Sequence, residues 1–209
     1  MQVPFGEWLP DLPDHVNPGA TQALNVYPAV NSYRPWKAIA TTSGNALTAR
    51  SQGAASFKSD SGVVSIFAGD ATKLYKLTSN SFVDESGGTT FATPTDSHWD
   101  FIKFGEVVIA FNGADAPQAW TLDGSSDFGA LAGSPPTFKH AAVVGNFVVT
   151  GFQPTAQTTV AWSSFNSPTS WTAGTNQSDT EVLPEGGVIT GVTGGQYGLI
   201  FQESRITRM

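Results

Sequence analysis

Short strand patterns recur along the chain at a nearly constant spacing, and this limits the fold more than any other feature. Val64-Ser65-Ile66-Phe67-Ala68-Gly69 matches Val108-Ile109-Ala110-Phe111-Asn112-Gly113 at an offset of 44. Each segment runs into a turn signal, Gly69-Asp70 or Asn112-Gly113, of the type that closes hairpins. A second strand follows each turn: Leu74-Tyr75-Lys76-Leu77, then Ala119-Trp120-Thr121-Leu122, Val160-Ala161-Trp162-Ser163 and Ile206-Thr207-Arg208-Met209. Gly105-Glu106, Gly145-Asn146 and Gly195-Gln196 precede the apolar strands of later copies. A 40–50-residue period of strands points to propeller blades or a solenoid. The second unit reads as four strands, near 99–103, 107–111, 118–122 and 127–131. The inner strands are continuous apolar runs, which suits strands covered on both faces. The expectation is an all-β chain of β-propeller-like four-stranded blades. A sandwich of two packed antiparallel sheets is the alternative.

Composition agrees with a β-rich chain. Only 13% of the 209 residues are charged, half the ~25% usual in globular domains. There are 22 Gly, 13 Pro and 14 Phe, so turn formers and aromatics are abundant. A helical bundle would need far more Glu and Lys. At 40% hydrophobic, the chain can bury a core.

The first 48 residues differ from the rest. Pro4, Pro10, Pro13, Pro18, Pro28 and Pro35 interrupt any helix. Large apolar residues lie between them, among them Phe5, Trp8, Leu9, Leu12, Tyr27 and Trp36. The domain reading is therefore an extended Pro-rich N-terminal arm over 1–48 and blades over 49–209. Phe5, Trp8, Leu9 and Leu12 are the expected assembly residues. The arm either packs on its own domain or clasps a neighbouring subunit. Tyr75, Trp120 and Trp162 recur at offsets of 45 and 42 and are expected as equivalent, buried blade-core positions. Three repeats read as complete and the fourth as cut short. Either the arm supplies its missing strand, or the sequence is the front part of a longer chain.

Several function classes find little support. A net charge of −7 disfavours nucleic acid as a tightly held partner, although it suits a duct that DNA slides through. Cysteine is absent, so no disulfide and no thiolate metal site can form. His15, His98 and His140 are far apart and lack zinc-ligand spacing. Asp123-Gly124-Ser125-Ser126-Asp127 resembles a calcium loop only loosely and reads as a turn. Gly191–Gly198 is glycine-rich but has neither dinucleotide nor P-loop spacing. No catalytic signature occurs, and no cofactor is expected. No secretory signal and no 18-residue apolar run is present, so the chain is expected to be soluble and made in the cytoplasm.

Ser164-Phe165-Asn166-Ser167-Pro168-Thr169-Ser170-Trp171 resembles a degenerate Asp-box hairpin of sialidase propellers. That motif is structural. A sialidase would need an arginine cluster, and only Arg34, Arg50, Arg205 and Arg208 exist.

A wider resemblance spans nearly the whole chain. It rests on Phe5-Gly6-Glu7-Trp8-Leu9-Pro10-Asp11, Asn25-Val26-Tyr27-Pro28 and Tyr33-Arg34-Pro35-Trp36. Phe67-Ala68-Gly69 with Leu74-Tyr75, Asn112-Gly113 with Pro117-Gln118-Ala119, Gly174–Asp179 and Phe201-Gln202-Glu203 continue it. In this order they resemble the tail nozzle or head-to-tail connector proteins of short-tailed bacteriophages, also called tail stabilisation or tail hub proteins. The resemblance implies a structural virion protein without a catalytic site. It implies a ring, hexameric in that family, below the portal and adaptor. Such a ring extends the DNA exit channel and helps retain the genome, and DNA passes through without specific binding. The rival expectation is a carbohydrate- or receptor-binding β-propeller tail component.

Overall fold

A computed structural model of the chain describes residues 7, 9, 11–19, 22, 24–29, 32–38, 40 and 44–209. The chain divides into two compact units, Met1–Thr42 and Ser43–Met209. In the first unit a short 3-10 turn, Asp14–Val16, precedes an antiparallel hairpin of β1 (Val26–Ala29) and β2 (Ser32–Pro35). Tyr27 and Trp36 meet edge to face across its base, with ring centroids 6.1 Å apart. Among the residues from 7 to 40 whose side chains are described, none is buried, so this unit has no core of its own among them.

The second unit is all-β apart from one 3-10 turn, Pro184–Gly186. Its strands form consecutive antiparallel meanders. The first sheet holds β3 (Gly53–Lys58), β4 (Val64–Gly69), β5 (Leu74–Thr78) and β6 (Ser81–Asp84). The second holds β7 (Asp100–Phe104), β8 (Val107–Phe111), β9 (Gln118–Thr121) and β10 (Gly129–Ala130). The third holds β11 (His140–Val144), β12 (Phe147–Gln153), β13 (Ala156–Trp162) and β14 (Asp179–Val182). The fourth has three strands, β15 (Ile189–Thr193), β16 (Leu199–Gln202) and β17 (Ile206–Arg208). The repeat read from the sequence is therefore a repeat of antiparallel sheets, and the second sheet lies close to the strand positions expected for it.

The apolar runs of the second strands are explained by how the sheets are used. Side chains alternate between the two faces of a strand. Along β8, Val108 and Ala110 join a core cluster with Phe67 of the first sheet, whereas Ile109 and Phe111 join another with Val148 of the third. Along β12 the next residue, Val149, turns the other way, toward Ile189 and Ile200 of the fourth sheet. Each internal sheet thus buries one face on the sheet before it and the other on the sheet after it. A strand in that position needs apolar residues at every place rather than at alternate ones.

Register separates the three aromatic residues expected to be equivalent. Asp70 and Asn112 occupy matching corners: each side chain accepts the backbone N–H groups two and three residues on. The structural offset between the first two sheets is thus 42, not the 44 that aligns Phe67 with Phe111. Tyr75 lies opposite Ala68, two residues before its corner, and Trp120 opposite Val108, four before. Trp162 lies opposite Val149, which is three before Phe152 at the corresponding bulged position. The even spacings place Tyr75 and Trp120 on corresponding faces, and the odd one turns Trp162 to the other. Tyr75 and Trp120 are buried, whereas Trp162 is half-buried beside the third cluster. A spacing error of one residue along a strand is enough to exchange faces.

In the first sheet, residues 48–49 cover Tyr75. The Tyr75 hydroxyl donates to Asp70 Oδ2 at 2.8 Å and lies 2.7 Å from Thr48 Oγ1. Ala49 N–H also donates to Asp70 Oδ2. These bonds tie 48–49 to the second unit, which begins earlier than the boundary at 48/49 read from the sequence. The Asp70 carbonyl accepts Trp99 Nε1–H at 2.8 Å, and a Cβ at Gly69 would stand 2.3 Å from the Trp99 ring. Only glycine leaves the indole room there.

Burial pushes the Asp70 carboxyl up, but hydrogen bonds from Thr72, Tyr75, Thr48 and Lys73 outweigh it. The net effect holds the group below the usual value of 3.8. A depressed carboxylate stabilises the fold fully above its unfolded pKa, and the contribution fades as pH falls through the lower folded value. The expected result is stability that drops below about pH 4. Asp70→Asn should lower stability at neutral pH and flatten that acid limb. Urea unfolding at several pH values measures both.

Candidate functional site

Two kinds of surface could meet a partner. One is the N-terminal unit. Leu9 is half-buried, and its carbonyl accepts Asn17 Nδ2–H and the Leu12 N–H. Leu12 is exposed, as are Val16, Leu24 and Tyr27. Trp36 is 66% exposed and stands between exposed Arg34 and Lys37. Phe5 and Trp8, the other expected assembly residues, lie outside the described residues. Sequence reasoning singled out the start of the arm and gave no particular weight to Trp36. The signal was present, since Arg34-Pro35-Trp36-Lys37 sets an aromatic between two cations just after a proline.

The other surface lies on the fourth sheet. The fourth sheet buries Ile189 and Ile200 against the third. Leu199 and Ile206 are exposed, Ile206 at 62%. Tyr197 is also exposed and carries the Arg208 guanidinium 3.8 Å above its ring. Between the third and fourth sheets lies a cleft of about 170 Å³. Val160, Trp162, Leu183 and Ile200 make it largely apolar, and Glu181, Thr207 and Arg208 add polar groups. Trp162 Nε1–H donates to the Gln177 carbonyl at 2.6 Å, which fixes the indole at the wall. Thr207 Oγ1 is buried and has no hydrogen-bond partner.

Other motifs serve the scaffold. In the 164–171 hairpin, Ser164 N–H donates to the Ser170 carbonyl and Trp171 Nε1–H to the Pro168 carbonyl. The Trp171 ring stacks on Phe138, with centroids 6.4 Å apart. The glycine-rich stretch is a close crossing: Gly195 N–H donates to the Val143 carbonyl, and a Cβ at Gly194 would stand 1.9 Å from that oxygen. Asp123, at φ 58°, accepts the Ser61 hydroxyl and joins neighbouring turns. His98 lies 3.2 Å from Asp100 Oδ2, and burial, with Lys139 nearby, holds the His140 imidazole below its usual range.

Among the described residues no group of three or more His, Asp or Glu side chains could hold a metal ion. No described helix is long and apolar enough to cross a membrane. No protein-family model matches the chain, and no curated protein matches it significantly.

Proposed function

We propose that this chain is a structural subunit of a phage tail nozzle or head-to-tail connector. It forms a ring, a hexamer by the resemblance, that extends the DNA exit channel below the portal and adaptor and helps retain the genome. The sheets are read as propeller blades. Consecutive meanders, the two internal ones each burying one face forward and one face backward, support that geometry. The observation that carries the assembly reading is the N-terminal unit: compact, uncored among its described residues, and rich in exposed large apolar side chains. Apolar groups displayed in this way are a surface for a partner. A chain of net charge −7 lining a duct would repel DNA rather than hold it, so the genome slides without specific contacts. The reading involves no catalytic step and no cofactor, and it places the mature protein in the virion tail after synthesis in the host cytoplasm.

The second reading, a carbohydrate- or receptor-binding propeller in the tail, draws on the cleft. Trp162, Glu181 and Arg208 are the residue types that stack on and hydrogen-bond a sugar. The largely apolar wall weighs against it. Immunogold labelling of intact particles separates the two. The nozzle reading expects label at the head–tail junction axis, whereas label confined to peripheral fibres, with binding on a glycan array, supports the receptor reading.

A further inference from the structure

Asp70 and Asn112 hold matching corners, but their surroundings demand different side chains. At the first corner Asp70 Oδ2 faces donors: the Tyr75 hydroxyl at 2.8 Å, the Thr48 hydroxyl at 2.9 Å and the Ala49 N–H at 3.2 Å. At the second corner Asn112 Oδ1 accepts the Ala114 and Asp115 N–H groups. Asn112 Nδ2 donates to Thr93 Oγ1 and to Asp115 Oδ2, both at 2.8 Å. A carboxylate accepts and does not donate, so the Asp115 contact fixes the orientation of the amide and requires an amide at position 112. The same Asp115 oxygen accepts the Ala92 N–H at 2.9 Å, and the Ser97 hydroxyl donates to the Asn112 carbonyl. Thr93 N–H in turn donates to the Ala71 carbonyl beside the first corner. Asn112, only 2% exposed, therefore ties the segment that links the first two sheets to the second corner.

Asn112 is followed by Gly113, and the sequence holds no other Asn-Gly pair. Glycine has no Cβ to hinder its backbone nitrogen, which makes such a pair the most labile setting for an asparagine. We propose that Asn112 is a latent deamidation site. The closed corner holds the reaction off, and the product keeps the corner from closing again. In the reaction the Gly113 backbone nitrogen gives its proton to hydroxide and attacks Asn112 Cγ. The bond from Cγ to Nδ2 breaks, and Nδ2 takes up a proton and leaves as ammonia. The succinimide ring then takes up one water and opens to an aspartyl or an isoaspartyl residue. One water is consumed and one ammonia released, with no oxidant or reductant. In the closed corner four hydrogen bonds fix the amide, so the attack needs the corner open. The aspartyl product lacks the two Nδ2 donors and sets a second carboxylate against Asp115 Oδ2 in a buried site. The Thr93 hydroxyl can turn to donate to it, but the Asp115 carboxylate cannot. The isoaspartyl product also routes the main chain through the former side chain and lengthens the corner by one carbon. Chains that stay open are thereby removed from the folded population in one direction.

The full chain is incubated natively and in urea, at one pH and temperature, in water enriched in heavy oxygen. Peptide mass spectrometry then reads the oxygen taken up at Asn112. The reaction there should be at least about a hundred-fold slower in the native sample, because it tracks the open population. Equal rates would overturn the proposal. When the urea-treated sample is diluted and its folded fraction isolated by gel filtration, chains altered at Asn112 should be depleted on the order of ten-fold against unaltered ones. Equal recovery of the two would also overturn it. Two variants isolate the clash with Asp115. Asn112→Asp should lower the folded-to-unfolded ratio on the order of a hundred-fold in urea titrations. Adding Asp115→Asn should restore most of that ratio, since the new amide can donate to the new carboxylate while its carbonyl accepts the Ala92 N–H. A neutral Asn112→Asp change, or a double variant no more stable than the single one, would overturn the proposal.

Discussion

Trp120→Ala should destabilise the fold by roughly 3–5 kcal/mol, the range for truncating a large buried aromatic residue. Trp120 is 1% exposed and sits at the centre of the first junction. Phe67 and Phe128 pack on it, and the Lys76 ammonium lies 4.7 Å from its ring centroid. Truncation would leave a cavity bounded by two sheets, and neither can move inward without disturbing its other face. The indole Nε1–H is buried without an acceptor, an unfavourable feature of the native residue. Trp120→Phe removes that donor and keeps most of the contact area. It should therefore cost much less than alanine, on the order of 1 kcal/mol. Chemical unfolding followed by circular dichroism measures both variants. A near-neutral alanine variant would contradict the packing described for this junction.

Removing residues 1–42 should leave the second unit folded and abolish assembly. The four sheets and their three core clusters all lie within Ser43–Met209. The corner that holds residues 48–49 on Asp70 is also inside that unit. The deleted part contributes exposed Leu12, Leu24, Tyr27 and Trp36, which are anchor types for a partner surface. Losing such anchors should weaken each subunit contact by on the order of a hundred-fold. The measurement is sedimentation of full-length and shortened protein at matched concentrations, with circular dichroism as the check on folding. Unchanged assembly would show that the N-terminal unit serves its own chain. Outright unfolding would show that the second unit depends on it.

The repeat of strands was legible because it rests on local signals. Apolar runs end in Gly69-Asp70 and Asn112-Gly113, and such turns fix where a meander reverses. The register was less legible. Phe67 and Phe111 look alike in sequence, yet the corner side chains Asp70 and Asn112 set the alignment two residues away from that match. A matching aromatic residue is a weak guide in sheets whose two faces are both apolar, because either face accepts it. For this reason Trp162 was expected in the core and stands at the wall of a cleft. The cleft itself could not be read from sequence, since it depends on which side chains of four separate strands fail to fill a junction. Of the expected arm residues, Leu12 is exposed, Leu9 is half-buried, and Phe5 and Trp8 lie outside the described part.

Native mass spectrometry of the purified 209-residue protein, paired with negative-stain images of the same sample, tests the central claim most directly. The account predicts a closed ring with a central opening and a mass near six times the 22.0 kDa chain. A 22.0 kDa species alone, at every concentration and without ring-shaped particles, would contradict it.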